Sequence, residues 1–234
     1  MKLGELLERL FPLGHSVTVD DQVVHGTAQT AAGRVTVVGT TDHAEVGVEH
    51  ALALAQSVLE STRHHPERPI VMLVDTSGQR LSRRDELLGI NGYLGHLAQC
   101  LEVARQRGAR LISLVYGEAV SGGFLSFGLM ADAIFALPDA QVRVMNLKAM
   151  ARVTKQPLER LEALSRSSPV FAPGVENYAA MGAVNAVWTD NVAERLVGAL
   201  RQPSMGDKRR QLGRERGGRN LAADIAQRVA DGVA

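Results

Sequence analysis

A chain of 234 residues, 45% of them hydrophobic, is long enough to bury one good core as a single α/β domain. Its formal net charge of +1 excludes a global electrostatic case for nucleic acid, and its lone cysteine, Cys100, excludes a disulfide framework or a cysteine metal cluster within the chain. No segment approaches the roughly eighteen uninterrupted apolar residues of a membrane span, and the opening MKLGELLERLF reads as a short amphipathic helix rather than a signal peptide, so a cytoplasmic setting is expected.

Strand and helix patterns then alternate. Val17 to Val24 and Arg34 to Thr40 read as strands, and Val46 to Thr62 as a helix with apolar spacing at Val48, Ala51, Leu52, Ala55, Val58 and Leu59. His64-His65-Pro66 reads as a polar loop, with no third ligand in view for a metal. Ile70 to Val74 reads as a buried strand that stops at the turn Asp75-Thr76-Ser77-Gly78. Arg80, Arg83 and Arg84 follow it, as solvated surface or as contacts for a phosphate or an acidic carrier. Asp85 to Arg107 reads as one helix closed by Gly108. Next come a strand covered on both faces, Leu111 to Tyr116, a glycine turn from Gly117 to Gly123, and a helix from Phe124 to Met130. Strands are expected at Ala133 to Leu137 and around Gln141 to Met145, which makes repeated β-α-β units with parallel strands.

Beyond residue 150 the pattern is helical, with candidates at Pro157 to Arg166, Val175 to Met181 and Asp190 to Leu200, separated by Pro169, Pro173 and Gly182. The main domain is expected to span residues 1–203. A basic tail, residues 204–234, carries Lys208, Arg209, Arg210, Arg214, Arg216 and Arg219 before a small-residue helix from Leu221 to Val233.

Two strand-end turns carry the chemistry. Gly122 and Gly123 sit near a helix N-terminus, where unpaired amides and the helix dipole favour a negatively charged oxygen. Without Cβ atoms they let such an oxygen approach the main chain. The turn at Gly78 follows a strand expected to neighbour the first, so each turn can direct one N–H at a common point, and two donors make an oxyanion hole.

At this level the residues resemble the crotonase-like and ClpP-like superfamily, in which a strand, a glycine turn and a buried helix form half of such a hole. Within it, Asp75-Thr76-Ser77-Gly78 and Gly117-Glu118-Ala119-Val120-Ser121-Gly122-Gly123 are similar to the D-[TS]-x-G and G-E-x-x-S-G-G turns of the carboxyltransferase branch. The segments Ala136 to Asp139, Ser168 to Gly174 with Glu176 and Tyr178, and Gly182 to Trp188 resemble the gamma subunit of biotin-independent malonate decarboxylase. The fold this implies is an α/β spiral of β-β-α units with C-terminal helices, which such chains commonly use for assembly. Trp188 is either part of such a contact or ordinary core.

Missing groups choose among the superfamily's chemistries. Crotonase-type hydratases use two carboxylates, and here Leu125 and the Met145-Asn146 region stand in their places, so hydration is disfavoured. The peptidases place a nucleophilic serine where Ser121 stands, but Met145 occupies the base position, leaving only a distant histidine such as His43 or His96. Decarboxylation of a malonyl thioester needs an enolate stabiliser more than a base. Tyr116, Lys148 or water are the candidates to return the proton. Asp75 is expected in a turn or in the site.

The resemblance implies a chain that, with a beta subunit of similar fold, decarboxylates malonate held as a thioester on an acyl-carrier subunit. The carrier bears a phosphoribosyl-dephospho-CoA type arm, and an alpha subunit performs acyl exchange. No biotin, metal or cofactor bound by this chain is expected. The site residues expected on this reading are Gly122, Gly123 and Gly78 as catalytic backbone donors, with Ser77, Gln79, Ser121 and Asn146 binding substrate. The alternatives are a non-catalytic scaffold in the same complex and a stand-alone crotonase-like acyl-thioester hydrolase or isomerase.

Overall fold

Apolar side chains at consecutive positions of Ile70–Val74 demand cover on both sheet faces, and two helical layers supply it. The computed structural model describes residues 1–166, 173–203, 206–218 and 220–232. After helix α1 (Leu3–Leu10) come β1 (His15–Asp20), β2 (Val23–Thr30), β3 (Gly33–Thr40), β4 (Ala44–Val46) and helix α2 (Val48–His64). Strand β5 (Ile70–Gln79) leads through α3 (Arg83–Leu88) and α4 (Ile90–Gln106) to β6 (Leu111–Val120) and the short helix α5 (Ser121–Leu125). A 3-10 turn, Gly128–Met130, precedes β7 (Ala133–Ala136), β8 (Gln141–Arg143), α6 (Leu147–Thr154), α7 (Leu158–Ser165), α8 (Val175–Ala180) and β9 (Ala186–Val187). Helices α9 (Val192–Arg201), α10 (Arg209–Glu215) and α11 (Asn220–Ala230) complete the described chain.

The main sheet runs β1-β2-β3-β5-β6-β7-β9. Its first three strands are antiparallel and the rest parallel. Alternation along β5 divides the core: Ile70, Met72 and Val74 pack with α2 and α4, whereas Val71 and Leu73 pack with α1 and α9. Cys100 of α4 lies in the first layer, 3% exposed, and burial raises its thiol pKa. The native chain is therefore expected to resist iodoacetamide at neutral pH and to become labelled only on denaturation, as mass spectrometry would read directly.

Several boundaries differ from those expected. Val17 to Val24 is not one strand: Asp21 and Gln22, both at positive φ, form a two-residue turn that folds it into the β1–β2 hairpin. Strands β5 and β6 do not stop at Val74 and Tyr116, because β4 pairs with Thr76 to Gln79 and β8 with Glu118 to Val120. The helix from Asp85 to Arg107 is broken at Gly89, whose φ of +77° ends α3 before α4 begins. The helix foreseen over Phe124 to Met130 starts earlier, at Ser121, and gives way to the 3-10 turn. Strand β8 ends at Arg143, short of Met145, and helices α6 and α10 were not foreseen. Pro169, most of the Ser168 to Gly174 segment, Ser204, Arg219 and Val233 lie outside the described residues.

Candidate active site

Both turns sit at the carboxyl edge of the parallel sheet, where β5 and β6 lie side by side with Thr76 opposite Ala119. At the second turn, Ser121 takes a left-handed conformation (φ +49°) that swings the chain from β6 into α5. Gly123 is buried under the first turn. A Cβ there would stand 2.8 Å from Thr76 Oγ1 and 3.0 Å from the carbonyl carbon of Gly78, so only glycine lets the turns meet this closely.

Two of the turns' amides, those of Gly78 and Gly122, already have acceptors. Gly122 N–H donates to Gln79 Oε1 at 2.9 Å, a side-chain carbonyl held between the turns. Gly78, at φ +114°, folds its N–H back on its own turn, where it donates to Thr76 Oγ1 at 3.0 Å. The Thr76 hydroxyl in turn donates to Ala44 O at 2.6 Å, so Thr76 ties β4, β5 and the Gly123 contact together. Gln79, expected to touch substrate, thus occupies the amide that a substrate oxygen would use. Ser77 is exposed and donates to His43 O. Asn146 is distant in role, since its side chain caps α6 by accepting from Ala149 N at 2.7 Å. Replacing it with alanine is expected to cost about 1 kcal/mol in a urea melt.

Asp75 faces away from the Gly78 turn and acts as a brace. Its buried carboxylate accepts from Glu118 N at 2.8 Å and His43 N at 3.1 Å, and one oxygen lies 2.8 Å from His43 Nδ1. Gly117 makes room, because a Cβ there would fall 2.2 Å from Asp75 Oδ1. His43 therefore partners Asp75 rather than Ser121, and His96 lies on α4 beside Cys100, with Nε2 3.6 Å from the sulfur. Neither histidine completes a serine nucleophile. Tyr116, a candidate proton donor, is buried in the α1 layer, donates to Thr40 O at 3.0 Å, and has its phenol pKa pushed up by that burial. Of the three arginines after the first turn, Arg80 and Arg84 pair with Glu49 and Asp85, which locks them to α2 and α3.

Residues 41–233 match the family model for the malonate decarboxylase gamma subunit, MdcE. The chain belongs to that family. Its gamma-subunit fold superposes on chains of the Pseudomonas malonate decarboxylase hetero-tetramer solved with coenzyme A (TM-score 0.79) and of the MdcD-MdcE hetero-dimer (TM-score 0.76), each 26% identical over 97% of both chains. A curated relative, the malonyl-S-ACP:biotin-protein carboxyltransferase MADD of Malonomonas rubra, is 29% identical over 91% of this chain and 86% of its own length. The transcarboxylase 12S core shares the crotonase-like fold at 19% identity (TM-score 0.72).

In this gamma-subunit chain, sequence reasoning missed the Thr76, Gln79 and Asp75 contacts that hold the turns. Only the pairing of β5 with β6 brings Gly117 against the Asp75 carboxylate, so the sequence shows a glycine there but not the side chain that needs its space. Trp188 proves to be core, 3% exposed and stacked on Phe135 with ring centroids 4.3 Å apart. No helix among the described residues is long and apolar enough to cross a membrane.

Proposed function

We propose that this chain pairs with a malonate decarboxylase beta subunit to form a site that releases CO2 from a malonyl thioester on an acyl-carrier protein, with the Gly122–Gly123 backbone stabilising the enolate. One observation carries the reading: the Gly122 N–H is aimed at a carbonyl-type oxygen, Gln79 Oε1, held between the two turns. A thioester oxygen that displaces Oε1 inherits that hydrogen bond. As the bond between the α carbon and the carboxylate breaks, its electron pair flows to the thioester oxygen and CO2 departs, and the α carbon then takes a proton to give the acetyl thioester. A donor that strengthens its bond as charge develops on oxygen lowers the barrier, and removing one such donor elsewhere costs roughly 2.7–4 kcal/mol. The lack of a carboxylate pair, with Leu125 in one of its places, fits a reaction that needs no water addition.

The carrier is proposed to present the substrate on a phosphoribosyl-dephospho-CoA type arm, with an alpha subunit exchanging acyl groups and no biotin involved. The Malonomonas relative favours a second reading, in which the carboxyl group passes to a biotin protein. The internal acceptors on Gly78 and Gly122 favour a third, a scaffold that orients a site on the beta subunit. The deciding assay measures CO2 release from malonyl-carrier thioester by this chain, the beta subunit and their mixture, with and without avidin. Activity in the mixture alone, unaffected by avidin, is the expected result. An inert mixture in which the two chains are bound would overturn the decarboxylase reading, and loss of activity with avidin would favour the biotin route.

A further inference from the structure

We infer that the chain carries a second binding site, for a small phosphate-bearing molecule, at the sheet edge opposite the glycine turns. A cavity of about 560 Å³ opens where β6, β7 and β9 begin, marked by Arg110, Asp132 and Asn185, and α10 forms its far wall. Sites for small molecules commonly have volumes of roughly 300–1,000 Å³. The ten residues of β6 separate Arg110 from the Ser121–Gly123 turn, about 30 Å at the rise of a strand, so one small ligand cannot serve both places.

The cations of this cavity divide into those already committed and one that is not. Arg105 binds Asp132 at 2.7 Å and also Glu102 and Met130 O. Arg209 grips Asp207 through two hydrogen bonds. Arg216 donates to the carbonyls of Ala179, Val184 and Asn185. Arg110 differs: among the described residues its guanidinium has no ion pair or hydrogen bond, and its Nε is buried without an acceptor. A planar guanidinium left without a partner in a cavity lined by more cations than carboxylates matches a dianion that accepts two parallel N–H bonds, as a phosphate monoester does. Ile134, Phe135 and Leu212 add apolar wall for the body of such a ligand. The committed arginines hold the walls in place, which leaves Arg110 to recognise the charge.

Phe135 lines the cavity and stacks on Trp188, the only tryptophan, so binding has an intrinsic optical reporter. The full chain is titrated with inorganic phosphate, adenosine 5′-monophosphate and malonate at constant ionic strength, and followed by tryptophan fluorescence and calorimetry. Saturable binding of the nucleotide and of phosphate in competition is expected, with malonate at least tenfold weaker. Arg110→Gln is expected to weaken nucleotide binding at least tenfold at an unchanged melting temperature, with Arg110→Lys in between. Three results would each overturn the assignment: no saturable binding of any probe, wild-type affinity in Arg110→Gln, or malonate binding as tightly as the phosphate compounds.

Discussion

Gly122→Ala is expected to reduce CO2 release by the paired subunits about 100-fold or more while leaving the fold intact, the scale seen when an oxyanion donor is lost. The added methyl carbon would lie 2.9 Å from Gln79 Oε1, in the space directly before the amide. Oε1 is the far end of a flexible side chain, so the protein can yield by swinging Gln79 aside. An incoming thioester oxygen has no such freedom, because it must meet the amide at about 2.9 Å for the bond to strengthen during reaction. Alanine also favours a helix over glycine by up to about 1 kcal/mol, which offsets the contact, so the melting temperature should stay near wild type. Turnover and melting are measured on the same preparation. Wild-type turnover would show that the turn is structural and would assign this chain to the scaffold role. Gln79→Ala is the companion test, since removing the internal competitor is expected to lower KM and preserve kcat. Loss of kcat there would mean that Gln79 takes part in the reaction rather than holding the substrate's place.

Asp75→Ala is expected to cost about 2–4 kcal/mol of stability, the scale for leaving two part-buried backbone amides without their acceptor, whereas the exposed His43 ring is rehydrated. The substitution leaves the Glu118 and His43 amides without their acceptor and deprives the His43 ring of its partner. In a chain of this size the loss should lower the melting temperature by on the order of 10 °C, and a urea titration gives the free energy independently. Asp75→Asn keeps one carbonyl oxygen for an amide and should lose less. A loss below about 1 kcal/mol in the alanine variant would mean that water replaces the carboxylate freely, contrary to a side chain only 8% exposed.

The two site turns were readable because each ends an unbroken apolar run with glycines, a pattern that short-range sterics alone impose. The tie between them was not. Strands β4 and β8 have three residues each, too few for any periodicity, yet they extend β5 and β6 past Val74 and Tyr116 and fix both turns. The acceptor Gln79 Oε1 was equally hidden, because it lies forty-three positions from the Gly122 amide and meets it only once β5 and β6 stack, whereas Thr76 Oγ1 accepts from Gly78 two positions on and is a local contact. His43 and Asp75 are thirty-two positions apart, and only the placement of β4 beside β5 brings them together. The break at Gly89 went unread because the apolar spacing continues through it from α3 into α4.

The change from antiparallel to parallel pairing across β3 sets an order in time. Strands β1, β2 and β3 are joined by tight turns and meet neighbours close in sequence, whereas Thr36 must find Ile70, and Ile70 must find Leu111, across whole helices. Loop closure of that length is slow, so the meander can form early while the glycine turns wait for β5 and β6 to align. During synthesis the chain has nothing to hold Gly122 against Gln79 until β6 has left the ribosome, so a partner that recognises the finished site meets only molecules in which β5 and β6 have already paired.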